Sequence, residues 1–249
     1  MRAITVVLVG VATPATFTYR GFTYSFASLQ GVSGDLDWYE QFVCATVPKE
    51  HLHLERWDKQ RSTTSASIRG GLGELAAALP DGGLLVVVLC GHGFQATDDN
   101  GDEPDALDEV FAASDGPVLD DHFGQVWDSM KPLTDLVVIV DSCSADTLGI
   151  RGGRDVEPVL SYRTAGPARL SISASMAWEK AGEVPTRHGA RGQLSLALED
   201  AWLDPDARSS YLSWFRAAAD LLAVRRPQQH PRLRFLGPDD KLLMRPPLT

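Results

Sequence analysis

Cysteine is scarce in this chain. The three that occur, Cys44, Cys90 and Cys143, cannot all pair within one molecule, and no C-x-x-C spacing accompanies them; the His51/His53 pair has no cysteine companions. This excludes a disulfide-stapled secreted scaffold and a zinc knuckle, and leaves a reduced, cytoplasmic protein as the expectation. Positive charge is also short, with 23 Lys and Arg against 33 Asp and Glu and a formal net charge of −10. Nucleic acid and anionic membranes are therefore poor partners, whereas basic substrates are compatible with that balance. No apolar run reaches transmembrane length. Arg2 followed by Ile4 to Val11 imitates a short signal peptide, but the run is valine-rich with one positive charge and reads as a buried strand. Repeats, linkers and low-complexity segments are missing too. With 44% apolar and 22% charged residues, residues 1–249 are expected to form one globular α/β domain.

Two stretches organise the rest: Leu84 to Phe94, LLVVVLCGHGF, and Leu136 to Thr147, LVVIVDSCSADT. Each is aliphatic without polar alternation and stops abruptly at glycine, serine or a reactive side chain, the pattern of a strand buried on both faces of a parallel sheet. If the two pair in parallel, His92 and Cys143 emerge at the same carboxyl edge, where open α/β sheets build their sites. A thiol beside an imidazole is the arrangement of a Cys-His nucleophile. Gly91 and Gly93 flank His92, so backbone can approach a ligand closely there.

The intervening pattern alternates strands and helices. A helix is expected from about Asp35 to Cys44, an edge strand around Leu52 and Leu54 with His51 and His53 facing solvent, and a helix within Ser62 to Leu79 capped by Thr64 or Ser65 and stopped by Pro80. Thr97 to Asp121 reads as an acidic loop, followed by a helix from Asp120 to Met130 capped by Asp120 or Asp121. Residues 148–168 read as a flexible loop, Leu170 to Ser173 as a strand, Gly182 to Gly192 as a second loop. Gln193 to Trp202 and a segment from about Ser209 read as helices, the latter with an apolar face of Tyr211, Trp214, Phe215, Ala218, Leu221 and Leu222. Arg232 to Leu236 reads as a final edge strand, and Pro246-Pro247 as a fraying end.

Cys90-Gly91-His92-Gly93, the acidic run Asp99 to Glu109, Asp120-Asp121, Asp141-Ser142-Cys143, Leu29 to Asp35 and Ser171 to Ser175 together resemble, in order and with suitable gaps, the caspase-fold cysteine peptidases, nearest the bacterial metacaspase-like (orthocaspase) branch. His92 precedes Cys143 by 51 residues, close to the ~50 that separates the pair in caspases. The resemblance implies a three-layer sandwich with a mostly parallel central sheet of about six strands and helices on both faces, residues 1–147 forming the larger part and 169–249 the smaller. It implies a cysteine endopeptidase with Cys143 as nucleophile, His92 as base and acid, and the backbone N–H groups of Gly93 and Cys143 as oxyanion donors.

Asp35 and Asp141 match the acidic wall positions of the metacaspase specificity pocket, with Cys90 beside them. Two carboxylates facing a cleft select arginine over lysine before the scissile bond. A helix cap is the competing role for Asp35, and a structural hydrogen bond for Asp141. The resemblance brings calcium as an optional ligand of Asp105, Asp108, Asp120 and Asp121, but not as a requirement; Asp98 to Glu109 fails the EF-hand pattern, and a solvated acidic loop is the competing reading. The family's acidic residue after the cysteine is replaced by Leu148-Gly149-Ile150, with Asp146 or Asp155 as substitutes. Ser144-Ala145-Asp146 stands where metacaspases usually carry His-Ser-Gly. Arg151, Arg154 and Arg163 are candidate sites of self-processing, and an upstream activating protein is the other expected partner. An α/β-hydrolase would need glycine where Asp141 and Ala145 stand. A catalytically inactive caspase-fold scaffold is the alternative from a different class.

Overall fold

An aliphatic run with no polar alternation is stable only between two apolar layers, and the chain supplies several such runs joined by helices. The computed structural model describes residues 2–58, 62–98, 100–101, 105–149, 159–162 and 166–249. In order the elements are β1 (Ile4–Val11), β2 (Phe17–Tyr19), β3 (Phe22–Tyr24), α1 (Val32–Thr46), β4 (Leu52–Trp57), α2 (Ser65–Ala78), β5 (Leu84–Gly91), β6 (Gly93–Thr97), β7 (Leu107–Ala112), β8 (Pro117–Leu119), α3 (Asp120–Asp128), β9 (Asp135–Asp141), β10 (Val159–Tyr162), β11 (Ala168–Ser173), β12 (Glu183–Thr186), β13 (Gly189–Gly192), α4 (Gln193–Trp202), α5 (Tyr211–Arg225) and β14 (Arg232–Gly237). Seven strands form one sheet in the order β10-β14-β11-β9-β5-β1-β4. Its pairs are parallel except β11 with β14.

The period of two along a strand sorts the core into two layers. Val6 and Leu8 of β1 face a core shared with Leu36 and Tyr39 of α1, Leu194 and Leu198 of α4 and Trp214 of α5. Val7 and Val9 face the opposite core, with Ile68 and Leu72 of α2 and Phe123 and Trp127 of α3. The expected three-layer architecture therefore holds, with one strand more than the six expected. Local signals account for helix ends: Thr64 accepts from the Ser67 N–H at 3.2 Å to start α2, and Ser210 from the Ser213 N–H at 3.0 Å to start α5. No described helix is long and apolar enough to cross a membrane.

Several expectations need correction. The acidic stretch 97–121 is not all loop, because β6, β7 and β8 form a small antiparallel sheet. Nor is Gly182 to Gly192 a loop, since β12 and β13 make a hairpin. A β2–β3 hairpin precedes α1, which begins at Val32 and not at about Asp35. Neither aspartate caps α3: its N-cap is Leu119, whose N–H donates to Nδ1 of His122. β10 falls inside the segment read as a loop, and β14 lies between β10 and β11 instead of at the edge. The carboxyl end does not fray, because Leu248 is buried and its N–H donates to the Tyr211 hydroxyl at 3.1 Å.

Candidate active site

β5 and β9 run parallel with Cys90 opposite Asp141, so the chain leaves both strands at the same edge. His92 follows β5 directly and Cys143 comes two residues after β9. Both line one cleft, together with Asp35, Cys90, Asp141 and Glu183. The backbone packs tightly here: a Cβ on Gly93 would lie 1.9 Å from the Cys143 carbonyl oxygen. Ala112 N–H donates to the His92 carbonyl at 2.9 Å while Gly93 stands opposite Phe111. That makes Gly93 a non-hydrogen-bonded pair, with its own N–H turned out of the ladder. Ser144, immediately after the cysteine, has φ 46°, and its N–H donates to the Glu179 carbonyl at 3.0 Å, which turns the chain sharply away from the thiol.

His92 has an orienting partner that sequence reasoning missed. Its Nε2 lies 2.7 Å from the Ala27 carbonyl oxygen. A carbonyl can only accept, so Nε2 carries the proton and Nδ1 is left as the basic nitrogen. No sequence signal marks a backbone carbonyl 65 residues away. The Cys143 thiol donates to the Ala181 carbonyl at 3.5 Å. Burial pushes this thiol above its ordinary range, and a bond in which the thiol is the donor also favours the protonated form, so the resting group is a thiol and not a thiolate.

Asp35 and Asp141 converge. A Cβ on Gly192 would lie 2.2 Å from Asp141 Oδ2 and 2.9 Å from Asp35 Oδ2, so only glycine leaves the two carboxylates room. Asp35 is buried inside α1, not at its cap. It accepts from Arg191 Nε at 2.7 Å and from the Gly192 N–H. Burial first and the neighbouring Asp141 second push its carboxyl up to about 7, against the lowering pull of Arg191. Asp141 accepts from the Ser195 N–H at 2.8 Å and the Ser195 hydroxyl at 2.7 Å. That N–H belongs to the first turn of α4, whose dipole favours the anion, but burial still raises the Asp141 carboxyl. Cys90 is buried in the same wall, its thiol held well above the ordinary range by burial and then by Asp35 and Asp141.

Glu183 is a third acid that the sequence reading missed. Its carboxylate accepts the Gly31 N–H at 2.5 Å and the Gln30 N–H at 3.1 Å, and it lines the cleft. Its position inside a stretch read as loop hid it.

Four aspartates are the candidate calcium ligands. Asp105 is exposed, Asp108 pairs with Arg20 at 3.6 Å, Asp120 accepts from the Thr147 hydroxyl at 2.9 Å, and Asp121 accepts from Asn100 at 2.8 Å. Among the described residues no three His, Cys, Asp or Glu side chains are arranged to hold a metal ion. Asp146 is gripped by Arg234 through two 2.7 Å bonds. Asp155, Arg151, Arg154 and Arg163 lie outside the described residues.

Residues 14–149 match the family model described as Metacaspase, peptidase C14 domain. That span contains Asp35, Cys90, His92, Asp141 and Cys143. No curated protein sequence matches the chain. Among solved structures, a protein of Geobacter sulfurreducens superposes with a TM-score of 0.75 at 20% identity, covering 99% of this chain and 98% of that one. Caspase-1 of Spodoptera frugiperda superposes with a TM-score of 0.55 at 15% identity over 99% of this chain and 91% of that one. The pro-form of the same caspase gives 0.55 at 16% identity over 95% and 91%. These likenesses establish the fold, and the sequence match covers more than half of the chain: the protein belongs to the metacaspase family of caspase-fold cysteine peptidases.

Proposed function

We propose that the chain is an endopeptidase in which Cys143 attacks the scissile carbonyl, His92 serves as base and then acid, and arginine is preferred over lysine before the cleaved bond. The observation that carries this reading is a single cleft lined by Cys143, His92 and the three carboxylates Asp35, Asp141 and Glu183. Nδ1 of His92, left basic by the Ala27 bond, takes the thiol proton as sulfur bonds to the carbonyl carbon. The outward N–H of Gly93 and the N–H of Cys143 stabilise the developing oxyanion. The amine then departs with the proton from His92, and water hydrolyses the thioester by the reverse use of the same base.

A substrate guanidinium is drawn to the cleft because Asp35, Asp141 and Glu183 all line it while Arg191 engages only Asp35 of the three. Its planar fork matches two carboxylates better than an ammonium does. Cutting at Arg151, Arg154 or Arg163, by the chain itself or by an upstream protein, is the proposed activation step. A panel of aminocoumarin peptides ending in arginine, lysine or aspartate, run with calcium and with chelator, tests the whole reading. Arginine turnover that Cys143→Ala abolishes supports it; turnover only after aspartate defeats the pocket assignment.

One observation favours a second reading, a non-catalytic caspase-fold binding module: the Cys143 thiol donates to Ala181 and burial keeps it protonated. Absence of turnover under every condition, including after limited cleavage by trypsin, would favour that module.

A further inference from the structure

Four aromatic rings gather beside His92 without belonging to the acidic pocket. Phe26 lies against the imidazole with ring centres 4.8 Å apart at 33°. Phe94, two residues beyond His92, packs on Tyr24 at 4.3 Å and on Phe26 at 5.8 Å, and Phe17 completes the group 5.7 Å from Tyr24. Period-two alternation explains the pairing, since Tyr24 with Phe26 and His92 with Phe94 each fall on one face of extended chain. All four rings are only half-buried. Beneath them Phe94 rests on a small cluster of Ala96, Val110 and Leu119. The β2–β3 hairpin that carries two of the rings is pinned at its base: Leu29 N–H donates to the Ala12 carbonyl, Ala15 N–H to the Ser114 carbonyl, and the Ala27 carbonyl holds His92. None of the four rings lines the cleft that contains Asp35, Asp141 and Glu183.

We propose that Phe17, Tyr24, Phe26 and Phe94 form a shelf that binds apolar side chains immediately after the scissile bond. This rests on the peptidase reading above. When the C–N bond breaks, the acyl carbon stays on Cys143 sulfur and the nitrogen leaves with the proton that His92 carries, so the nitrogen must sit within hydrogen-bond reach of His92. The residues attached to that nitrogen then lie against whatever flanks the imidazole, and that is aromatic. The acidic pocket receives the side chain before the bond; the shelf selects the side chains on its far side.

The test compares two substrate types. An arginyl aminocoumarin peptide has no residue after the bond and reports the chemistry and the acidic pocket alone. Internally quenched peptides carry Phe, Leu, Ser or Asp in the two positions after arginine. The wild-type protein is expected to favour Phe or Leu over Asp by about tenfold in kcat/KM, the size of one partly buried aromatic contact. In Tyr24→Ser, and in the milder Tyr24→Leu should the first not fold, that ratio falls to about twofold, whereas Phe22→Ser, at an exposed ring on the same hairpin, leaves it unchanged. A wild-type ratio near one, a ratio that Tyr24 variants do not move, or one that Phe22→Ser moves as far overturns the shelf while the aminocoumarin rate keeps the peptidase reading intact. No cleavage of either substrate type overturns both.

Discussion

Cys143 is the residue to which the proposed function assigns the attack, and the surroundings of its sulfur fix how it responds to pH. Burial raises its pKa, so the thiolate fraction near neutrality is small and rises about tenfold with each pH unit. Alkylation of Cys143 by iodoacetamide, followed by peptide mapping with exposed Cys44 as internal reference, should therefore accelerate about tenfold from pH 7 to pH 8 and still be rising at pH 9. A plateau below pH 8 would contradict the buried thiol. Gly93 offers a second expectation at this scale. A methyl group there meets backbone, the Cys143 carbonyl at 1.9 Å, so Gly93→Ala must move either the nucleophile loop or the N–H assigned to the oxyanion. Its kcat/KM should drop by at least about a hundredfold, the usual cost of losing one such donor; a loss under about threefold would remove Gly93 from the mechanism. His92 and Cys143 could both be read in the sequence because each ends an uninterrupted aliphatic run. The Ala27 carbonyl could not, since every residue has one.

At the scale of elements, the pocket is a junction of α1, the β12–β13 hairpin and the start of α4. Each brings one charge or donor set: Asp35, Arg191 with Gly192, and Ser195. With the Asp35 carboxyl raised to about 7, the pocket gains negative charge as pH rises through neutrality. Binding of an uncleaved arginyl peptide to Cys143→Ala, followed by calorimetry, should tighten between pH 6 and pH 8, and Asp35→Asn should flatten that dependence. Weakening over the same interval would reverse the sign and refute the assignment. The same shift has the opposite effect on stability. The folded state holds a proton that the unfolded chain releases near pH 4, so the contribution of Asp35 is full below about pH 4 and is lost as pH rises through about 7.

The elements that pattern reasoning misread are those whose strands carry charge. β7, LDEVFA, buries Asp108 and Glu109; Arg20 lies 3.6 Å from the first and Gln95 donates to the second. A strand stabilised by paired acids has no apolar alternation to recognise. The β12–β13 hairpin is hidden in the same way by Pro185 and its arginines; it turns through Arg187 and His188 into Gly189, which has φ 112°, a conformation few other residues adopt.

Across the whole molecule, one sheet joins the strands that lead to His92 and Cys143 to the carboxyl-terminal ones, and a buried ion pair crosses that join. Asp146, just beyond Cys143, is held by Arg234 of β14 through two 2.7 Å bonds, with Arg232 at 3.7 Å. Removing the acid strips two charge-assisted bonds from a buried guanidinium, so Asp146→Ala should cost about 3 kcal/mol in urea unfolding. It should also release the loop after Cys143 and so lower turnover beyond the stability loss. A cost under about 1 kcal/mol would mean the pair behaves as a surface bridge.

The sequence by itself determined the two aliphatic runs, the reactive residue ending each, the helix-strand alternation and hence the α/β class. These are properties of contiguous residues: run length, spacing and abrupt termination need no partner to be recognised. Only the tertiary structure decided that Asp35 meets Arg191, 156 residues distant, that Asp141 meets Ser195, that Asp146 meets Arg234 and that Glu183 faces the same cleft. The charge state of a buried acid depends on what removes its water and what lies within a few ångströms of it, and neither is written in the residues beside it along the chain.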